Sequence, residues 1–219
     1  MGIISKTIKP LFYSRKEKRH ELVGPPKLWK MKQQFQIDFL KKMGLTPTHA
    51  FLDIGCGTLR GGIPLIDYLD EGNYTGIDVR EENIKEALNE LKEEGLGNKK
   101  PTILSFDSFV DLHLHQKFDV MFAFSVLIHM ADHISASCLE FVAKNLASDG
   151  VFYANVNFGE REDGVWRGFP IVFRTLDFYQ KMAAENGMKI DVLGTLEELG
   201  HHSGSALGDS QVMLKFTLL

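Results

Sequence analysis

Over most of its length the chain alternates between short apolar runs and longer segments whose apolar residues recur every three or four positions. The runs read as strands and the recurring segments as helices. The first clear helix starts at Leu28, with Met31, Phe35, Phe39 and Leu40 on one face, and stops at Gly44. Beyond it the pattern predicts strands over 49–54, 74–79, 102–106, 118–124 and 150–155. Helices are predicted over 62–69, 81–94, 134–146 and 176–186. The run 118–124 is apolar at nearly every position, as a strand covered on both faces must be. Two last strands, 188–193 and 211–218, follow each other with only a Gly/Ser-rich linker between them. Strands joined without a crossover helix pair antiparallel. The expectation is therefore an α/β fold: a doubly wound, seven-stranded, mostly parallel sheet with one antiparallel strand near its C-terminal edge.

The first residues stand apart. Residues 1–24 look irregular or weakly helical, are interrupted by Pro10, and end at Gly24-Pro25-Pro26, a stop signal. They suggest an arm over 1–27 in front of a domain over 28–219. Charge sharpens the division. Residues 1–32 carry nine Lys/Arg and two Asp/Glu, a balance of +7, so the remainder of this −4 chain sums to −11. A basic arm is either a solvated segment or a contact for an anionic partner. The acidic body argues against a broad nucleic-acid surface. No apolar stretch is long enough to span a membrane, the N-terminus has no secretory core, and two cysteines make no disulfide framework. A reducing cytoplasm is the expected compartment. Oligomeric state is left open.

The chemistry concentrates at predicted strand ends. The first strand runs into Asp53-Ile54-Gly55-Cys56-Gly57-Thr58-Leu59-Arg60-Gly61-Gly62 and then into a helix. Such a glycine turn lets a ligand approach the backbone, and the helix start offers free N–H groups. The spacing G-x-G-x-x-x-G, with Asp53 in front, is one residue longer than the dinucleotide form and favours S-adenosylmethionine over NAD. Asp78 ends the second strand, where an acidic side chain accepts from ribose hydroxyls. Asp107-Ser108 follows the third strand, and Ser125 and His129 follow the fourth. Three carboxylates at three successive strand ends form a stronger signal than the glycines alone.

As a set, these residues resemble class I S-adenosylmethionine-dependent methyltransferases, in particular small stand-alone bacterial members, over residues 28–219. The resemblance implies that Asp53, Gly55 and Gly57 meet the methionine end of the cofactor, Asp78 the ribose, and Asp107 and Ser108 the adenine. It places Ser125 and His129 beside the sulfonium, and draws Cys56, Arg60 and Val79 into the cofactor-binding set. In that subgroup a Trp-bearing helix, here at Trp29, covers the cofactor, which also makes Trp29 a candidate substrate-binding residue. Methyl transfer needs alignment and exclusion of water, and a hydroxyl acceptor needs a base as well. His129 is the candidate base. Trp166, Arg167 and Arg174, around Gly168-Phe169-Pro170, are candidate acceptor contacts, since an arginine forks onto carboxylate or phosphate. The expected function is methyl transfer to a small molecule, at a hydroxyl oxygen.

Other readings stay in view. A nicotinamide-dependent oxidoreductase would use a related sheet, but the glycine spacing and the lack of a Tyr-x-x-x-Lys pair disfavour it. A non-catalytic cofactor-binding partner subunit would not need the acidic ladder. Amino-group methylation of nucleic acid is disfavoured, because Phe124-Ser125-Val126-Leu127 stands where an Asn/Asp-Pro-Pro-aromatic tetrad is required. No metal is expected: His129 and His133 have helical spacing, but Met130 stands where a metallopeptidase has Glu. Cys56 reads as a small neighbour of the ligand, and His201-His202 as solvated linker residues.

Overall fold

A computed structural model describes residues 14–219. Its seven-stranded sheet has the order β3-β2-β1-β4-β5-β9-β8. The strands are β1 (Phe51–Ile54), β2 (Tyr74–Asp78), β3 (Thr102–Ser105), β4 (Phe118–Ala123), β5 (Leu146–Val156), β8 (Met188–Thr195) and β9 (Val212–Leu218). The first five pair in parallel, while β9 runs antiparallel to both β5 and β8. The antiparallel strand thus lies one in from the edge. Strand order reverses between β1 and β4, and a ligand crevice opens at such a reversal, outside the strand tips.

Alternation along the strands divides the core. Phe51, Phe122 and Phe124 face α2 (Trp29–Lys42), α3 (Gly62–Tyr68) and α4 (Glu81–Glu93). Leu52, Met121 and Phe152 face α5 (Asp132–Asn145) and α6 (Leu176–Glu185). Successive strand side chains point to opposite faces, so one run of apolar residues feeds two layers.

Three segments depart from the sequence reading. The stretch read as irregular or weakly helical contains a well-capped helix, α1 (Arg15–Glu21), started by a reciprocal capping box between Ser14 and Glu17. The polar loop after β5 holds a hairpin, β6 (Gly164–Trp166) with β7 (Phe169–Ile171). The β8–β9 linker contains the short α7 (Ala206–Asp209). Residues 1–13 of the basic arm lie outside the described residues. The described part packs on the domain: the Arg19 side chain is wholly buried against Glu86, Glu90 and Glu93 of α4. Among the described residues no helix is long and apolar enough to cross a membrane. Cys56 and Cys138 are free thiols, both buried.

Candidate active site

The turn after β1 is built for close approach. Gly55 and Gly57 have φ of +74° and +58°, a region open to glycine at little cost. A Cβ at Gly55 would lie 2.5 Å from Val126, and one at Gly57 would lie 2.6 Å from Val23. The turn is therefore wedged between the loop after β4 and the segment after α1. The Gly57 N–H donates to Asp78 across 3.0 Å. Asp78 also accepts from the Arg80 N–H at 2.9 Å and from Asn83 Nδ2 at 3.1 Å. A carboxylate offers about four lone-pair sites, so about one is left for a ligand.

Asp53, Cys56, Arg60, Gln36 and Phe124 line a small cleft at this turn, of about 30 Å³ and partly open to solvent. Asp53 is 5% exposed and accepts from the Tyr74 hydroxyl at 2.7 Å. Burial pushes its carboxyl up to about 7, against the opposing pull of that hydrogen bond. Arg60 donates from Nη1 to the Val23 carbonyl at 2.8 Å, while its Nε is buried with no partner among the described residues. Burial lowers the guanidinium to about 10. No ion pair joins Asp53 and Arg60 within 4.0 Å, nor either of them to any other described residue. The cleft thus holds one buried carboxyl and one half-buried guanidinium, kept apart. Burial, with Asp53 and Asp78 nearby, raises the Cys56 thiol, so it is no nucleophile.

The loop after β4 carries the second group. Ser125 has φ +60°, and its N–H donates to Asn155 Oδ1 at 2.7 Å. Asn155 in turn donates to Gln211 at 2.6 Å, so β5 and the start of β9 hold the turn. A strained conformation of this kind persists where its surroundings enforce it. His129 follows in a short 3₁₀ turn, with Nδ1 2.7 Å from the Pro170 carbonyl. A carbonyl only accepts, so Nδ1 carries the proton and Nε2 keeps its lone pair. Trp166 stacks on the imidazole at 5.4 Å and 18°. Burial lowers the His129 pKa against the Pro170 hydrogen bond, and Arg80 and Lys32 lower it further.

Residues 21–23 form a strap across the site. The carbonyl of Glu21 accepts from Arg167 at 2.6 Å, that of Leu22 from Arg80 at 3.4 Å, and that of Val23 from Arg60 at 2.8 Å. The three arginines come from the β6–β7 turn, the tip of β2 and the glycine turn.

The remaining predicted residues scatter. Trp29 is buried under α1, its ring stacked on His20 at 3.4 Å, and does not line the cleft. Arg174 is bound to Asp163 and Asp132 at 2.7 and 2.8 Å, so it braces the hairpin and is not free for an acceptor. Asp107 is exposed, and Ser108 Oγ accepts from the Val110 N–H; neither lines the cleft. Val79 is 52% exposed beside Asp78. Of the three strand-end carboxylates, the structure brings Asp53 and Asp78 to the turn and leaves Asp107 outside it.

Three contributors were missed. His201, expected to be solvated, is 1% exposed, and its Nδ1 lies 2.8 Å from Asp209. Lys32 and the Asn155–Gln211 pair carry no motif and were not singled out from the sequence. The Gln36 side chain lies on the cleft one turn after Lys32, a spacing that could have flagged the lysine.

Residues 45–190 match the methyltransferase domain family. The fold is similar to magnesium protoporphyrin IX methyltransferase of Synechocystis PCC 6803, crystallised with bound S-adenosylmethionine. The TM-score is 0.67 at 19% identity, covering 94% of this chain and 92% of that one. A methyltransferase from Clostridium acetobutylicum ATCC 824 gives a TM-score of 0.64 at 14% identity, covering 87% and 92%. The CcbJ methyltransferase of Streptomyces caelestis gives 0.65 at 13% identity, covering 90% and 91%. With the family matched over two thirds of its length and the strand order laid out around a glycine turn, this chain belongs to the class I S-adenosylmethionine-dependent methyltransferases.

Proposed function

We propose that the enzyme transfers a methyl group from S-adenosylmethionine to a hydroxyl oxygen of a small molecule, with His129 as the base. The observation that carries the cofactor assignment is the separated pair, Asp53 and Arg60. An isolated buried charge is costly, and two opposite ones in a single cleft suit a zwitterion. The amino-acid end of the cofactor is such a group: its ammonium suits Asp53 and its carboxylate suits Arg60. The last open lone pair of Asp78 suits a ribose hydroxyl. Asp107 and Ser108, at the tip of β3, remain the proposed adenine contacts.

When bound, the cofactor supplies a methyl carbon activated by a positive sulfur. The protein's own residues have three tasks. The strap and Trp166 exclude water. The β4 loop, fixed by Asn155, sets the position of the incoming nucleophile. His129 Nε2 takes the hydroxyl proton, since its partner nitrogen is already committed to Pro170. Arg167, bound to the strap, is proposed to organise the acceptor entrance.

The experiment compares S-adenosylhomocysteine with 5′-methylthioadenosine, which lacks the amino-acid end, by calorimetry. Two hydrogen-bonded charge contacts at about 1.5–3 kcal/mol each predict a preference of about 10²-fold or more for the former. Arg60→Met removes one of the two contacts and lowers the preference by about tenfold or more. Equal affinities refute the assignment of the pair. Saturable binding of NADH instead would turn the reading to an oxidoreductase.

A further inference from the structure

One charge beside the cleft is not used by the cofactor. Lys32 lies on the same face of α2 as Gln36, one turn earlier, and Gln36 lines the cleft. Its Nζ stands 6.0 Å from the centre of the Phe124 ring, which also lines the cleft. Among the described residues no carboxylate lies within 4.0 Å of that ammonium. Burial, with Arg60 nearby, brings it down to about 8, against the opposing pull of the more distant Asp209.

His201 packs against the same wall, with ring centres 5.7 Å from Phe124 and 5.0 Å from Phe35. Its Nδ1 donates to Asp209, which also accepts from the Ser203 N–H and hydroxyl, both at 2.8 Å, and from the Gly204 N–H at 3.0 Å. So many donors keep Asp209 ionised, below its usual range. They fix the imidazole tautomer, leaving Nε2 as a buried lone pair with no partner. The loop holding this pair runs into β9, whose first residue, Val212, pairs with Val156 at the C-terminal end of β5. It overhangs the same rim as the other strand tips.

We propose that the methyl acceptor is a small oxyanion-bearing molecule, its carboxylate or phosphate seated on Lys32 at the Phe124 wall, with His201 accepting a hydrogen bond from a donor on the same molecule. The inference rests on the methyl-transfer reading, in which Arg60 serves the cofactor carboxylate. Lys32 is then the cation left over. A half-buried ammonium with no carboxylate in contact, and only Asp209 at longer range, selects an anion, and an unpaired buried acceptor selects a donor. His201 acts here as a positioning residue and not as the base.

The test fills the cofactor site of the full-length protein with S-adenosylhomocysteine. The loaded protein is then titrated with 4-hydroxybenzoate, phenyl phosphate and the neutral benzyl alcohol. At least one anion is expected to bind tenfold or more tightly than the alcohol, and the better of the two identifies the oxyanion. Lys32→Met abolishes the preference, Lys32→Arg restores part of it, and neither moves S-adenosylhomocysteine affinity beyond threefold. In nitrogen-15-labelled protein the His201 Nε2 resonance shifts on addition of the bound anion. Normal S-adenosylhomocysteine binding with no preference for the anions overturns the acceptor assignment and leaves the methyl-transfer reading standing. A tenfold loss of S-adenosylhomocysteine in Lys32→Met also overturns it, giving Lys32 to the cofactor. Failure to bind S-adenosylhomocysteine at all removes both readings.

Discussion

If Asp53 receives the cofactor ammonium, cofactor binding must expel a proton. The buried carboxyl holds its proton up to about 7, so the free protein carries about 0.9 proton there at pH 6 and about 0.5 at pH 7. An ammonium beside it favours the carboxylate and drives that fraction into solution. Affinity for S-adenosylhomocysteine therefore rises about fivefold from pH 6 to pH 7, the ratio of the two unprotonated fractions. The assay is calorimetry in buffers of different ionisation enthalpy, where the slope of observed heat against buffer heat counts protons released. Burial holds His129 and His201 below their usual range, and Lys32, at about 8, titrates above this window. Asp53→Asn should flatten both the slope and the affinity profile. Proton release that survives in Asp53→Asn, or is absent from the wild type, refutes the reasoning. The same carboxyl acts on stability with a definite sign. Folding raises its affinity for protons, so its contribution is full below the ordinary value near 4 and is lost as pH climbs to about 7. The loss is about 4 kcal/mol in the ligand-free protein.

Two further outcomes are expected. Arg19→Met leaves three glutamates of α4 facing one another around a buried site and lowers unfolding free energy by about 3–5 kcal/mol, read from urea melts; a loss below about 1 kcal/mol would show the cluster to be solvated. His129→Asn lowers kcat by about 10²-fold or more while S-adenosylhomocysteine affinity holds, and removes an acid limb in the pH–rate profile that falls below the ordinary imidazole value near 6.5; unchanged turnover rules out His129 as the base.

Much of this architecture was legible because burial dictated it locally. The apolar run of β4 and the bare linker before β9 announced a parallel sheet with one reversed strand. Gly55, Gly57, Asp53 and Asp78 were legible because the turn demands those residue types. The rest depended on partners distant in sequence. His201 looks solvated until Asp209 and two phenylalanine rings enclose it. Arg174 looks available until Asp132 and Asp163 claim it. The β6–β7 hairpin has three residues per strand, too few for a pattern, and is latched by stacking on His129. For α1 the signal lies in Ser14-Arg15-Lys16-Glu17, a capping box inside a segment read as irregular or weakly helical.

The Arg19 anchor also redraws where this protein begins as a physical object. The family match starts at residue 45, and the glycine turn and strand tips all lie beyond it. Yet Glu86, Glu90 and Glu93 occupy one stripe of α4, and their cation arrives from a helix more than sixty residues upstream. A fragment trimmed to the matched region would expose that stripe, lose the roof over Gly57 and leave Arg60 without the Val23 carbonyl. The smallest piece worth expressing therefore starts ahead of Ser14, and shorter versions would misreport how this enzyme holds its methyl donor.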